Sequence, residues 1–141
     1  MADVIFNSFK RDIMNGALDL DTDTINVMLV TSTYTPDQDA HTKRSDVTNE
    51  VSGTGYSAGG SALAGKAVTV DNTDNEGVFD ANDLSWTTAT ITARGAVLYK
   101  ARGGASSADE LICYIDFGAD KTSTAGTFTI AWNAEGIINL N

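Results

Sequence analysis

A mainly β fold is what this chain predicts: a β-sandwich or a jelly-roll-like barrel of about seven or eight strands, with one short N-terminal amphipathic helix. Three observations lead there. The 141 residues contain 13 glycines and one proline, with Thr and Ala abundant, which is the composition of a turn-rich β protein. From Lys66 onward apolar and polar residues alternate with period two, the signature of half-buried strands. Clusters of Gly, Asn and Asp punctuate those segments, as connections between short strands do. A chain of this length builds one domain, residues 1–141, whose core needs neither disulfides nor metals.

Taken in order, Ile5, Phe6, Phe9, Ile13 and Met14 recur at helical spacing, with Asn7 or Ser8 available as a cap and Gly16 just past the end. This predicts a helix or arm over residues 1–16. Its apolar stripe reads first as core, and second as a docking face of the kind amphipathic helices present to grooves. "INVMLVT", Ile25 to Thr31, is β-branched and apolar and predicts a buried strand. Residues 35–65 read as a long loop region. It opens with "TPDQDAHTKRSD", which holds the only proline and the only histidine and should be exposed, and passes through a possible helical turn near Asp46 into a glycine-rich stretch. "KAVTVD" and "VFDANDLSW" flank the turn-dense "NTDNEG", which predicts a hairpin. "ATITARGAVLYKA", "ELICYIDF" and "TFTIAWN" predict three further strands, the last two separated by turn chemistry in "GADKTSTAG". "IINL" is a short final strand. There is no internal repeat, heptad or low-complexity tract.

Nine Lys and Arg against 19 Asp and Glu give a net charge of −10. That balance disfavours binding to nucleic acid or to anionic membrane. Fourteen of the acids lie in residues 1–83 and five in residues 84–141, which predicts an acidic surface on the first half and a packed or partnered second half. Cys113, alone inside "LICYIDF", predicts a buried structural thiol. The first residues lack the basic start and apolar run of a secretory signal, and no stretch approaches the ~18 apolar residues of a membrane span. The expectation is a soluble protein made in a cytoplasm.

Several motifs imitate chemistry without its context. Gly60-Ser61-Ala62-Leu63-Ala64-Gly65-Lys66-Ala67 matches the phosphate-binding G-x-x-x-x-G-K-[ST] pattern except at Ala67, where the magnesium-holding hydroxyl belongs. "VTVDNTD" after it alternates like a strand, so Lys66 reads as a solvated residue at a strand start. Gly53-Thr54-Gly55-Tyr56-Ser57-Ala58 matches G-x-G-x-x-A but lacks the β-α-β frame that gives the pattern meaning. Asp19, Asp21 and Asp23 form D-x-D-x-D, yet Thr24 stands where a calcium loop needs glycine. Asp71, Asp74, Asn75 and Glu76 read more simply as hairpin turn residues. His41 has no evident nucleophile partner, and no Gly-x-Ser-x-Gly elbow is present. The expectation is therefore no catalytic, cofactor-binding or metal-binding residues and no enzyme. Trp86, Tyr99, Tyr114, Phe117, Phe128 and Trp132 fall in predicted strands as core, whereas Tyr34 and Tyr56, in or beside loops, are candidates for a contact surface.

The chain as a whole resembles the small virion structural proteins of tailed bacteriophages and prophages. The resemblance is carried by "NSFKRDIMNGALDLDTDTINVMLVTSTYTPDQDAH", "DVTNEVSGTGYSAGGSALAGKAVTVD", "DANDLSWTTATITARGAVLYK" and "YIDFGADKTSTAGTFTIAWNAEGII". It implies a structural component of the particle, of the capsid decoration or cement type, bound to the head exterior and joining neighbouring copies of the major capsid protein. It implies a homo-oligomer, dimer or trimer, on the virion, with no nucleic acid or membrane partner. A tail-tip or fibre-associated module that binds a host-surface receptor is the alternative. The family supplies no catalytic residues. The contact elements expected under this reading are Met1–Gly16 and Thr35–Asp46, with Phe6, Phe9, Ile13, Tyr34 and Tyr56 as interface residues.

Overall fold

The computed structural model describes residues 1–141. Two strands of unusual length dominate it: β6 (Leu84–Lys100) and β7 (Leu111–Ile130) pair antiparallel along almost their whole extent. Around them lie β1 (Val4–Ile5), α1 (Asn7–Met14), β2 (Ile25–Val30), β3 (Ser61–Ala62), β4 (Ala67–Asp71), β5 (Glu76–Asp80) and β8 (Ile138–Leu140). One sheet has the order β1-β7-β6-β2-β3 and the other β4-β5-β8. The fold is thus mainly β, with two antiparallel sheets and one short N-terminal helix, as the sequence predicts.

The central sheet is buried on both faces, which explains why "INVMLV" and "LICYI" read as continuous apolar runs rather than alternating ones. On one face Ile25, Val27, Leu29, Ala96, Leu98, Ile112 and Ile115 join Phe79, Ile137 and Ile138 of the smaller sheet's side in the main core. On the other face Met28, Val30, Val97, Tyr99, Leu111 and Tyr114 form a second cluster with Phe6 and Tyr34. Cys113 is fully buried, and burial pushes its thiol up to about 12, in line with a structural role.

The expected turn in "GADKTSTAG" is not a turn. Residues 117–120 oppose the single residue Arg94, so β7 bulges there and continues. Gly118 at φ +78° supplies the backbone freedom. Glycine serves a bulge and a turn through the same positive φ, so local sequence does not separate them. A second irregularity lies between Trp86 and Ala89, where Thr88 has φ +49°. Together they curl the far half of the β6–β7 hairpin, a two-stranded ribbon of residues 84–93 and 122–130, over the main core. Its inner face carries Trp86, Ala89, Ile91, Phe128 and Ile130, all buried, with Trp86 and Phe128 edge to face at 6.2 Å.

The helix begins at Asn7 with Phe6 as its capping residue and no side-chain cap. Asn7 is not the cap because its amide turns outward to Asp39, while Phe6 is fully buried. Gly16, at φ +77°, follows the helix end as expected. The hairpin predicted around "NTDNEG" is present, with β4 and β5 in unbroken register from Ala67↔Asp80 to Asp71↔Glu76. No helix is long and apolar enough to cross a membrane.

Candidate interaction surface

Two ends of the β6–β7 hairpin carry opposite chemistry. At the connected end, Asp109 and Glu110 are buried just before β7. Arg44, in a 3₁₀ turn at Arg44–Asp46, donates from Nε to Asp109 Oδ2 at 2.8 Å. The Arg102 backbone N–H donates to the other oxygen of Asp109 at 2.9 Å. Arg102 grips Glu110 through Nε at 2.9 and 3.0 Å and through Nη2 at 2.6 Å, with Lys43 Nζ 3.5 Å away. Burial alone would raise the Glu110 pKa, but the bonds from Arg102 and from its own backbone N–H, with the Lys43 charge, hold it below the usual glutamate value.

This charged end clamps the long loop region to the sheet. The Arg44 guanidinium lies 5.1 Å from the centre of the Tyr99 ring, a cation–π distance. The Tyr99 hydroxyl donates to the Gly59 carbonyl, and the Gly59 N–H donates to Glu50 Oε2 at 2.9 Å. Tyr56 donates to Glu50 at 3.1 Å and accepts from the Leu29 N–H at 2.9 Å. Burial, foremost, raises the Tyr56 pKa, so its hydroxyl stays protonated and able to donate. Buried polar groups satisfied in this way specify one loop conformation.

The glycine-rich segment that imitates nucleotide motifs is explained by packing. A Cβ at Gly60, where φ is +76°, would overlap the carbonyl of Val27, and one at Gly55 would meet the backbone of Ala89 at 2.7 Å. These glycines let the loop lie against β2 and β6. Lys66, expected to be solvated, donates instead to the Asp23 carbonyl. Asp71, Asp74 and Glu76 bring carboxylate oxygens within 4.8 Å of one another at the β4–β5 turn. Asp71 caps that turn by accepting from the Thr73 N–H at 2.7 Å. His41 lies under the loop, stacked on Tyr34, with Nδ1 accepting from the Asp37 N–H at 3.2 Å.

The interface residues expected from sequence need correction. Phe6 and Phe9 are fully buried and Tyr34 is 4% exposed, so none of the three offers its ring to a partner. Tyr34 and Phe6 belong to the second cluster, and Phe9 to the main core. Ile13 and Tyr56 are half-buried against that core. The two contact elements do meet: Gln38 donates to the Ile5 carbonyl at 2.8 Å, and Asn7 N–H to the Gln38 carbonyl at 3.1 Å. Their outward face is Asn7, Lys10, Arg11, Met14 and Gln38, a polar surface with one exposed apolar side chain.

The far ribbon is the other end. No charged residue occurs from Leu84 to Ala93 or from Thr122 to Ala134. Its exposed face is a field of hydroxyls from Ser85, Thr87, Thr92, Thr122, Thr127 and Thr129, knitted across the strands by Ser85–Thr129 at 2.8 Å and Thr92–Thr122 at 3.0 Å. The β7 edge of the ribbon is bare, since β1 pairs with β7 only at Cys113 and Tyr114. The β6 edge is covered at Thr88–Thr90 by the glycine-rich loop, where the Thr90 N–H donates to the Thr54 carbonyl at 2.9 Å and Gly53 and Gly55 lie against the backbone of Thr90 and Ala89. Beside the β7 edge runs a groove of about 540 Å³ lined by Met1, Asp3, Phe117, Lys121, Phe128 and Ile130, among others. Sequence reasoning missed this surface because an edge is a property of topology. The charge-free run was the available signal.

Comparison with family models, with curated proteins and with solved structures finds no match to this chain.

Proposed function

We propose that this chain is a non-enzymatic virion structural protein of a tailed phage or prophage, and that it acts as a capsid decoration protein which docks on the head exterior and bridges copies of the major capsid protein. The observation that supports this reading is the uncharged ribbon with its bare β7 edge. Soluble proteins protect exposed strand edges with charge, proline or covering loops, and the centres of protein–protein interfaces are depleted in charge. On a chain of net charge −10, a charge-free face with unpaired backbone groups suits a surface that is covered in use.

The remainder of the molecule fits the same role. Two apolar clusters and a clamped loop make a stiff body, and a stiff body loses little conformational freedom on docking. Many copies, each bound weakly, act together on a repeating lattice. The acidic outer surface keeps the free protein dispersed. Quantitative mass spectrometry of purified particles from the encoding strain tests the reading. A copy number that is a simple fraction of the major capsid protein is expected. A handful of copies per particle would overturn it in favour of a tail-tip module, and absence from particles would overturn both.

A further inference from the structure

The smaller sheet carries a second bare edge, and its residues are self-complementary. β4 is the outer strand of the order β4-β5-β8, and Ala67 to Val70 are all exposed. The strand contains no charge, proline or bulge between Ala67 and Val70. Opposed residues of antiparallel strands share a face, so Val68 sits in a row with Phe79 and Ile138, and Val70 in a row with Gly77 and Leu140. Phe79 and Ile138 lie in the core, but the sheet overhangs it: Val68 is 54%, Val70 75% and Leu140 39% exposed.

We propose that β4 pairs with β4 of a second copy, antiparallel about a two-fold axis through Thr69. In that register Val68 stands opposite Val70 of the other copy, and Ala67 opposite Asp71. Each apolar row then runs unbroken from the core of one copy, through Ile138, Phe79 and Val68, to Val70, Gly77 and Leu140 of the other. The register keeps residue parity, so the outward N–H and C=O groups of the two edges meet whichever set is free. Charge chooses the direction. β4 is preceded by Lys66 and ends at Asp71, with Asp74 in the turn beyond. Antiparallel pairing brings the cationic end of each strand toward the acidic turn of the other, whereas parallel pairing stacks Asp71 on Asp71. A two-fold contact of this kind closes at two copies, so it makes a dimer and not a trimer. It uses no residue of the hydroxyl-rich ribbon, and it stands whether or not the protein resides on a particle.

The test uses Thr69→Cys. At the two-fold centre the paired Cα atoms lie about 4.5–5.5 Å apart, within disulfide reach. Cys113 is buried and takes no part. Under mild oxidation the Thr69→Cys chain should form a covalent dimer at least about tenfold faster than a Thr22→Cys control at an exposed turn position. Adding Val70→Lys, at a site too exposed to affect folding, should return that rate to the control value. Thr69→Cys coupling no faster than Thr22→Cys, or coupling unchanged by Val70→Lys, would overturn the proposal. Sedimentation velocity of the unmodified protein supplies a second reading. A monomer–dimer equilibrium that Val70→Lys abolishes is expected, and a strict monomer or a trimer at millimolar concentration would overturn it.

Discussion

The two ends of the long hairpin are built from the same pair of strands and treat charge in opposite ways. At the connected end, Lys43, Arg44, Arg102, Asp109 and Glu110 crowd together with the two acids buried. At the ribbon end charge is missing altogether, and the exposed face is hydroxyl. Buried ion pairs add little net stability compared with an apolar replacement, but breaking one is costly. The clamp is therefore best understood as a device that fixes which conformation the loop region adopts. The ribbon does the reverse, leaving its β7 edge open. Charge is concentrated where the chain holds its own loop, and absent where the proposed docking face lies.

The largest effect should come from the close approach that lets the loop reach the sheet. Gly60→Ala forces a Cβ into the Val27 carbonyl at a positive φ, and should cost about 4 kcal/mol by denaturant unfolding. A loss under 1 kcal/mol would mean that the loop is not held against β2 as described. Next, Asp109→Ala strands Arg44 and the Arg102 N–H and should cost about 3 kcal/mol. A double-mutant cycle with Arg44→Ala should recover a coupling above about 1 kcal/mol, and additivity would separate the two residues.

Smaller still is Tyr56→Phe, which leaves the Leu29 N–H and one Glu50 oxygen without the hydroxyl. About 1–2 kcal/mol is expected, with the chain otherwise native by circular dichroism. Acid should act on the clamp end. Glu110 and Asp46 have pKa values held below the ordinary glutamate and aspartate values. For Glu110 burial opposes the shift and Arg102 drives it; for Asp46 the Thr42 and Lys43 N–H bonds drive it. Groups with depressed folded pKa values contribute stability that is fully present above their unfolded values and lost as pH falls through the folded ones. Unfolding free energy should therefore be flat with respect to these groups at neutral pH and decline below about pH 4.5. In Glu110→Gln that decline should be shallower, and an unchanged slope would remove Glu110 from the account.

What the sequence made legible was local. The amphipathic helix, β2, the β4–β5 hairpin and the last strand are each encoded within a few residues, and each stands where periodicity and turn chemistry put it. Sequence alone divides the long β7 into two strands, because Gly118 serves a bulge with the same backbone freedom a turn needs. The clamp was not legible because Arg44 and Asp109 are 65 residues apart in the chain, and a charge pair leaves no periodic trace. Tyr34 looked like a contact residue because it borders a polar loop, yet the loop folds back and covers it. The bare edges were illegible for a related reason: an edge exists only once strand order is known.

That the uncharged ribbon is the docking face is tested most directly by supplying Thr87→Glu or Thr127→Glu protein to particles that lack the native chain and counting copies per particle. Both positions are exposed and without side-chain partners among the hydrogen bonds described, so stability should stay within about 0.5 kcal/mol of the parent. Occupancy should fall at least about tenfold, since a lone charge in a covered interface costs more than about 1.4 kcal/mol. Full occupancy by both variants would contradict it.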